Sequence, residues 1–112
     1  MSATGLEERV AEATSDELVR LCFGGPITAS TASRVRELIR ARVRRGDLRL
    51  LVDLRAVTTI DVSGIAALLD ARRVVEAREG GVLAFRVNAT VDRALRESGT
   101  ISAFRLWHAP EA

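Results

Sequence analysis

Leu50-Leu51-Val52-Asp53-Leu54-Arg55-Ala56-Val57-Thr58-Thr59-Ile60-Asp61-Val62-Ser63-Gly64-Ile65-Ala66-Ala67-Leu68-Leu69 changes structural period partway along its length. Leu48 to Leu54 is nearly continuous in leucine and valine, which is the mark of a strand covered on both faces. Lying between two helical patterns, it reads as the central strand of a largely parallel sheet. Thr58 to Asp61 is short and β-rich. From Ser63 onward the spacing turns helical, with Ile65, Leu68, Leu69 and Val75 on one face and Gly80-Gly81 as the stop.

Working outward, the same alternation continues on both sides. Val82 to Val87 reads as a strand. Thr90 to Ser98 reads as a short helix with Val91, Ala94 and Leu95 inward and Gly99 just past its end. Ile101 to Trp107, carrying Phe104 and Trp107, reads as a closing strand. Upstream, Thr28 to Arg45 has Val35, Leu38, Ile39 and Val43 at helical spacing, with Thr28 or Ser30 available as a cap and Gly46-Asp47 as its end. Glu17 to Phe23 reads as a strand covered on both faces and stopped by Gly24-Gly25-Pro26. A weaker apolar segment at Val10 to Ala13 precedes it across a hairpin turn at Thr14-Ser15-Asp16. The order is β-β-α-β-α-β-α-β, an α/β fold with a mixed, mostly parallel sheet. A chain of 112 residues suits one domain, here residues 1–112, with flexible ends expected at 1–5 and 109–112.

Composition narrows the function classes. All 17 basic residues are arginine, against 15 acidic ones, so the formal charge is only +2. Seven arginines lie between Arg34 and Arg49. They fill the polar side of an amphipathic helix and have no aromatic residues between them, so no nucleic-acid partner is expected. Cys22 stands alone and reads as a small buried hydrophobe. With one cysteine and one histidine, His108, the chain offers no metal cluster and no histidine-based catalytic triad. Gly24-Gly25-Pro26 lacks the Lys and Ser/Thr of a phosphate-binding loop. No enzymatic activity and no cofactor is expected. Met1 is followed by Ser, Ala, Thr and Gly, not by an apolar signal core, and no run approaches the ~18 apolar residues of a membrane span. A cytoplasmic protein is the expectation.

What remains is Asp61-Val62-Ser63-Gly64 at a strand-to-helix junction. Ser63 falls at the N-cap or in the first turn, where its hydroxyl can accept from a free backbone N–H. The partial positive charge of that helix end suits an anionic group such as a phosphate. Gly64 leaves space around the hydroxyl, and Asp61 can orient it or cap the helix itself. The plain alternative is that Ser63 is only a cap.

The quoted stretch resembles the signature of the STAS family: an apolar strand, an Asp-Leu turn, a second short strand, an Asp-Ser-Ser-Gly variant and a Leu-rich helix. Gly80-Gly81-Val82-Leu83, Val91 to Gly99 and Ile101 to Trp107 match the family's later segments in order. The likeness runs from about Glu17 to Trp107. In the anti-sigma factor antagonist branch, the second serine of the motif is phosphorylated, and that position is Ser63. The resemblance implies a partner-switching protein whose unphosphorylated form binds an anti-sigma factor serine kinase, with a phosphatase resetting it. It implies a partner surface at Thr28, Thr59, Asp61, Val62, Ser63 and Gly64. Two departures stand out. Val62 replaces the first serine, and Gly25-Pro26-Ile27-Thr28 replaces an acidic Gly-Glu-Leu-Asp loop that helps engage the kinase. The second departure motivates an alternative, a scaffold subunit whose interactions need no phosphorylation. Oligomeric state stays open, since Phe104 and Trp107 suit either the core or an interface.

Overall fold

The computed structural model describes residues 5–11 and 18–107. The hairpin turn expected at Thr14 to Asp16, His108 and the chain ends at 1–4 and 109–112 lie outside them. The elements are β1 (Glu7–Ala11), β2 (Val19–Ile27), α1 (Ala32–Arg44), β3 (Arg49–Ile60), α2 (Val62–Glu76), β4 (Val82–Arg86) and α3 (Ala89–Glu97). The sheet order is β1-β2-β3-β4. β1 runs antiparallel to β2, while β2, β3 and β4 are parallel. This is the mixed, mostly parallel α/β sheet expected from the sequence, with β3 inside it.

Side-chain alternation along parallel strands generates the core. Val19, Leu50 and Leu83 stand in one row across the sheet, and Leu21, Val52 and Phe85 in another. All six are buried, and they join one cluster with Val35, Ile39 and Val43 of α1 and Ile65, Leu68, Ala71 and Val75 of α2. Val91 and Leu95 of α3 enter the same cluster. Each side chain of this size is worth roughly 1.5–3 kcal/mol when fully removed from water, so this periodicity, more than any local propensity, holds the helices on the sheet.

The opposite face of the sheet corrects one expectation. Arg20 and Cys22 are only half-buried, so β2 is covered on one face, not two, and Cys22 is not a core residue. The near-continuous apolar run was a reliable sign only for β3, where Leu51 on the outer face is buried as well.

Gly24-Gly25-Pro26 does not stop β2. The strand continues through it to Ile27, with register shifts at Cys22/Gly24 and Gly25/Pro26. The extra residue of each shift lies in β3, and β2 tolerates Pro26 because the ladder beside it is already interrupted. Gly25 supplies the left-handed backbone this needs, at φ 80°, and a Cβ there would overlap the Gly5 carbonyl. Because β2 is longer than expected, β3 is too. The expected turn at Asp53-Leu54 is absent, and Arg49–Ile60 forms a single strand that pairs with β2 up to Ile60.

The chain end differs as well. Ile101–Ala103 is a 3-10 turn, and the expected closing strand shrinks to one bridge between Leu106 and Phe85. Phe85 N–H donates to Arg105 O and Trp107 N–H donates to Phe85 O, both at 2.8 Å. Phe104 turns into the core and meets Phe85 edge-on, with ring centroids 5.0 Å apart. Trp107 remains half-buried beneath the Arg86 guanidinium, 5.2 Å from the ring centroid.

Candidate functional site

The carboxyl ends of β2 and β3 and the start of α2 converge on Asp61. Parallel α/β sheets commonly place their binding sites at such strand ends. Asp61 is the N-cap of α2, with an extended backbone at φ −113° and ψ −173°. Its Oδ1 accepts from Gly64 N–H at 3.0 Å and its Oδ2 from Ala29 N–H at 3.3 Å. Its own N–H donates to Ile27 O at 3.3 Å. One residue therefore ends β3, starts α2 and holds the loop after β2 against both.

This arrangement removes Ser63 from the capping role. Ser63 lies in the first turn of α2 and is half-buried, and its hydroxyl has no hydrogen-bond partner among the described residues. Val62, immediately before it, is 80% exposed, an unusual setting for a valine and the most exposed large apolar side chain among the described residues. Thr59 is exposed and Thr28 half-buried. Pro26 and Thr59 are register partners, which brings the β2 loop and the end of β3 to the same edge of the site. Thr28, Thr59, Asp61, Val62, Ser63 and Gly64 are thus gathered at one end of the sheet.

Gly64 works differently from the expectation. It is buried, and a Cβ on it would overlap the Ile27 carbonyl and press on the Ile60 side chain. Its small size lets the helix start sit directly on the ends of β2 and β3; it does not clear space around the serine hydroxyl.

The β2 loop is organised by a residue that sequence reasoning passed over. Thr31 is fully buried. Its Oγ1 accepts from Thr28 N–H at 2.9 Å and donates to Pro26 O at 3.0 Å. Thr31 rather than Thr28 or Ser30 is the N-cap residue of α1, and its side chain fixes the loop without bonding the helix N–H groups. Thr28 instead meets Ser30 through their hydroxyls at 3.2 Å. A buried threonine next to a proline carbonyl has no distinctive sequence signal in a run as rich in hydroxyls as Thr28-Ala29-Ser30-Thr31.

Asn88 is a second such residue. Its Oδ1 caps α3 by accepting from Val91 N–H at 2.8 Å, while its Nδ2 donates to Arg55 O at 3.0 Å and Val57 O at 2.8 Å. β4 pairs with β3 only as far as Asp53, so Asn88 satisfies carbonyls that β4 leaves free. The capping preference of asparagine is the signal for this role, and α3 begins at Ala89, one residue before the expected Thr90.

Asp53 lies on the outer face, only 4% exposed. Burial pushes its carboxyl up, but the Arg55 side-chain and backbone hydrogen bonds, with the charges of Arg55 and Arg86, outweigh that and hold it below the ordinary value. Arg55 Nη2 reaches Asp53 Oδ2 at 2.8 Å and its Nε reaches Oδ1 at 3.0 Å.

Among the described residues no group of His, Cys, Asp and Glu is placed to hold a metal ion, and no helix is long and apolar enough to cross a membrane.

The family model for the STAS domain matches residues 8–110. An anti-sigma factor antagonist from Mycobacterium paratuberculosis is 21% identical and superimposes with a TM-score of 0.79, over 93% of this chain and 86% of that one. The Bacillus cell fate determinant SpoIIAA in its phosphorylated form is 19% identical with a TM-score of 0.68, over 94% and 93% of the two chains. A sulfate transporter family protein from Wolinella succinogenes is 22% identical with a TM-score of 0.67, over 80% and 75%. At these identities the likeness is one of fold. No curated protein matches the chain by sequence.

Proposed function

The chain belongs to the STAS domain family, and we propose that it acts as an anti-sigma factor antagonist, a partner-switching binding module, not an enzyme, with Ser63 as its phosphoacceptor. The unphosphorylated form binds an anti-sigma factor that is also a serine kinase, releasing the sigma factor. Phosphorylation of Ser63 breaks the complex and a phosphatase restores it. The observation that carries this reading is that Asp61 caps α2, which leaves the Ser63 hydroxyl free at a solvent-facing helix start.

Physical chemistry supports the switch. A phosphoserine adds about −1.5 to −2 charges. Within the domain these sit at the positive end of the α2 dipole and are tolerated. In an interface closed over Val62 and Ser63 they add bulk and must be desolvated. A penalty of ~2.7 kcal/mol corresponds to a hundredfold loss of affinity. Val62 supplies the apolar centre that a docking surface needs.

The test is phosphotransfer. Incubating the protein with ATP and the serine kinase encoded nearest its gene should add one phosphate by mass, and Ser63→Ala should add none. Absence of phosphate on the wild type, or equal phosphate on the variant, would sink the assignment.

A second reading has one observation in its favour. The loop Gly25 to Thr28 carries no carboxylate, and Thr31 holds it in place. On that reading the domain is a scaffold subunit of a signalling or transport complex, and Ser63→Asp leaves partner affinity unchanged. A hundredfold loss in that variant favours the switch.

A further inference from the structure

A solvent-open groove of about 670 Å³ runs between α1 and α2. One wall is formed by Arg36, Arg40 and Arg44, spaced four residues apart on α1, and the other by Asp70 and Arg73 of α2. The three α1 arginines cover about 12 Å of helix at 1.5 Å per residue. Ala66 and Leu69 form an apolar strip between them.

The charges in the groove are unbalanced. Asp70 is the common acceptor: Arg40 Nη2 lies 2.8 Å from its Oδ2, Arg36 Nε 3.8 Å from the same oxygen, and Arg73 Nη1 3.4 Å from Oδ1. Three guanidinium groups therefore share one carboxylate. Arg44 has no ion-pair partner among the described residues. Four arginines face only Glu37 and Asp70, an excess of two positive charges. Arg73 keeps its side chain 76% exposed, so the excess is presented to solvent.

We infer that this groove docks an acidic amphipathic helix of a partner protein. A groove between two packed helices accepts the ridge of a third. Ala66 and Leu69 would meet its apolar row, and the arginines on both walls would pair with carboxylates flanking that row. Asp70 occupies three of these guanidinium groups and competes with an incoming carboxylate for them. Nucleic acid fits less well, because two carboxylates line the groove and no aromatic side chain does. On α2 the groove begins at Ala66, one turn beyond Val62, so a partner seated at the helix start reaches it without crossing another element. The inference rests on charge and shape and does not depend on Ser63 accepting phosphate.

The test uses the full chain and a synthetic helical peptide of roughly sixteen residues, with leucine along one stripe and glutamate on both flanks. A second peptide carries glutamine in place of glutamate, and a short DNA duplex serves as a competitor. Fluorescence anisotropy at about 50 mM salt should show the glutamate peptide binding wild type at least tenfold tighter than the double variant Arg40→Glu, Arg44→Glu. The glutamine peptide should bind at least tenfold more weakly. Asp70→Asn should tighten binding, because it removes the competing carboxylate. Ser63→Ala should bind like wild type, which separates this surface from the phosphoacceptor. In a heteronuclear titration the Nε resonances of Arg40, Arg44 and Arg73 should shift. Equal binding of the two peptides, unchanged binding by the double variant, or displacement of the peptide by an equal concentration of the duplex would overturn the proposal.

Discussion

At Asp61, one carboxylate serves two backbone donors, Gly64 just after it and Ala29, 32 residues before it in sequence. A hydrogen bond to Gly64 N–H is the ordinary work of a helix cap; the bond to Ala29 N–H ties the β2 loop to the same point. Ser63, two residues on, shares neither bond. The two side chains should therefore respond differently to truncation. Asp61→Ala should cost about 1 kcal/mol or somewhat more, from the lost cap and the released loop. Ser63→Ala should stay within about 0.5 kcal/mol of wild type, since a half-buried helical serine whose hydroxyl makes no hydrogen bond loses none on exchange for alanine. Urea denaturation followed by circular dichroism measures both. A cost for Ser63→Ala as large as that for Asp61→Ala would mean that the serine, after all, caps the helix.

Among the elements, the seating of α2 on the sheet matters most for the site. Gly64 places the helix start against the Ile27 carbonyl, at the end of a β2 strand whose pairing with β3 shifts register twice, each time with the extra residue in β3. The glycine is needed for closeness, not for a left-handed backbone. Gly64→Ala should improve local helix propensity by almost 1 kcal/mol yet destabilise the domain by about 1–3 kcal/mol, because a methyl group must displace backbone. Net stabilisation in thermal unfolding would show that α2 shifts freely and that the site has no fixed geometry. Asn88 plays a comparable part on the other side, joining α3 to the length of β3 that extends past β4. The loops on both sides of the site are thus anchored to β3.

For the whole molecule, the two faces of the sheet behave differently. The helix-covered face is apolar throughout its rows, while the other carries Cys22, Asp53 and Arg86 side by side. Asp53 keeps its charge there because Arg55 and Arg86 stabilise it more than burial disfavours it. Its carboxyl is lowered on folding, so it adds stability above the ordinary aspartate value of about 3.9. That contribution disappears as pH falls through the lower folded value. Stability measured by urea denaturation from neutral pH downward should therefore fall below about pH 4, and more steeply in wild type than in Asp53→Asn. Parallel curves for the two proteins would show that the Asp53–Arg55 pair does not contribute to acid sensitivity.

The alternation of strand and helix, the inner position of β3 and the apolar faces of α1, α2 and α3 were legible in the sequence. Each rests on a period of 2 or about 3.6 that burial imposes on neighbouring residues. The candidate site was legible as a set of residues for a similar reason, since Thr59 to Gly64 are contiguous. What each of them does was not legible. That Asp61 ties α2 to the rest of the site depends on where Ala29 N–H lies, and that residue arrives in the loop after β2. The passage of β2 through Gly24-Gly25-Pro26 depends on β3 lying alongside to receive it. The closing strand is reduced to the bridge between Leu106 and Phe85, and Phe104 packs against Phe85 beside it. The sequence by itself determined the order of elements and the face each one buries, because those follow from local periodicity. Only the tertiary structure decided that Asp61 and Asn88 hold the site, because their partners Ala29, Arg55 and Val57 are far away in the chain.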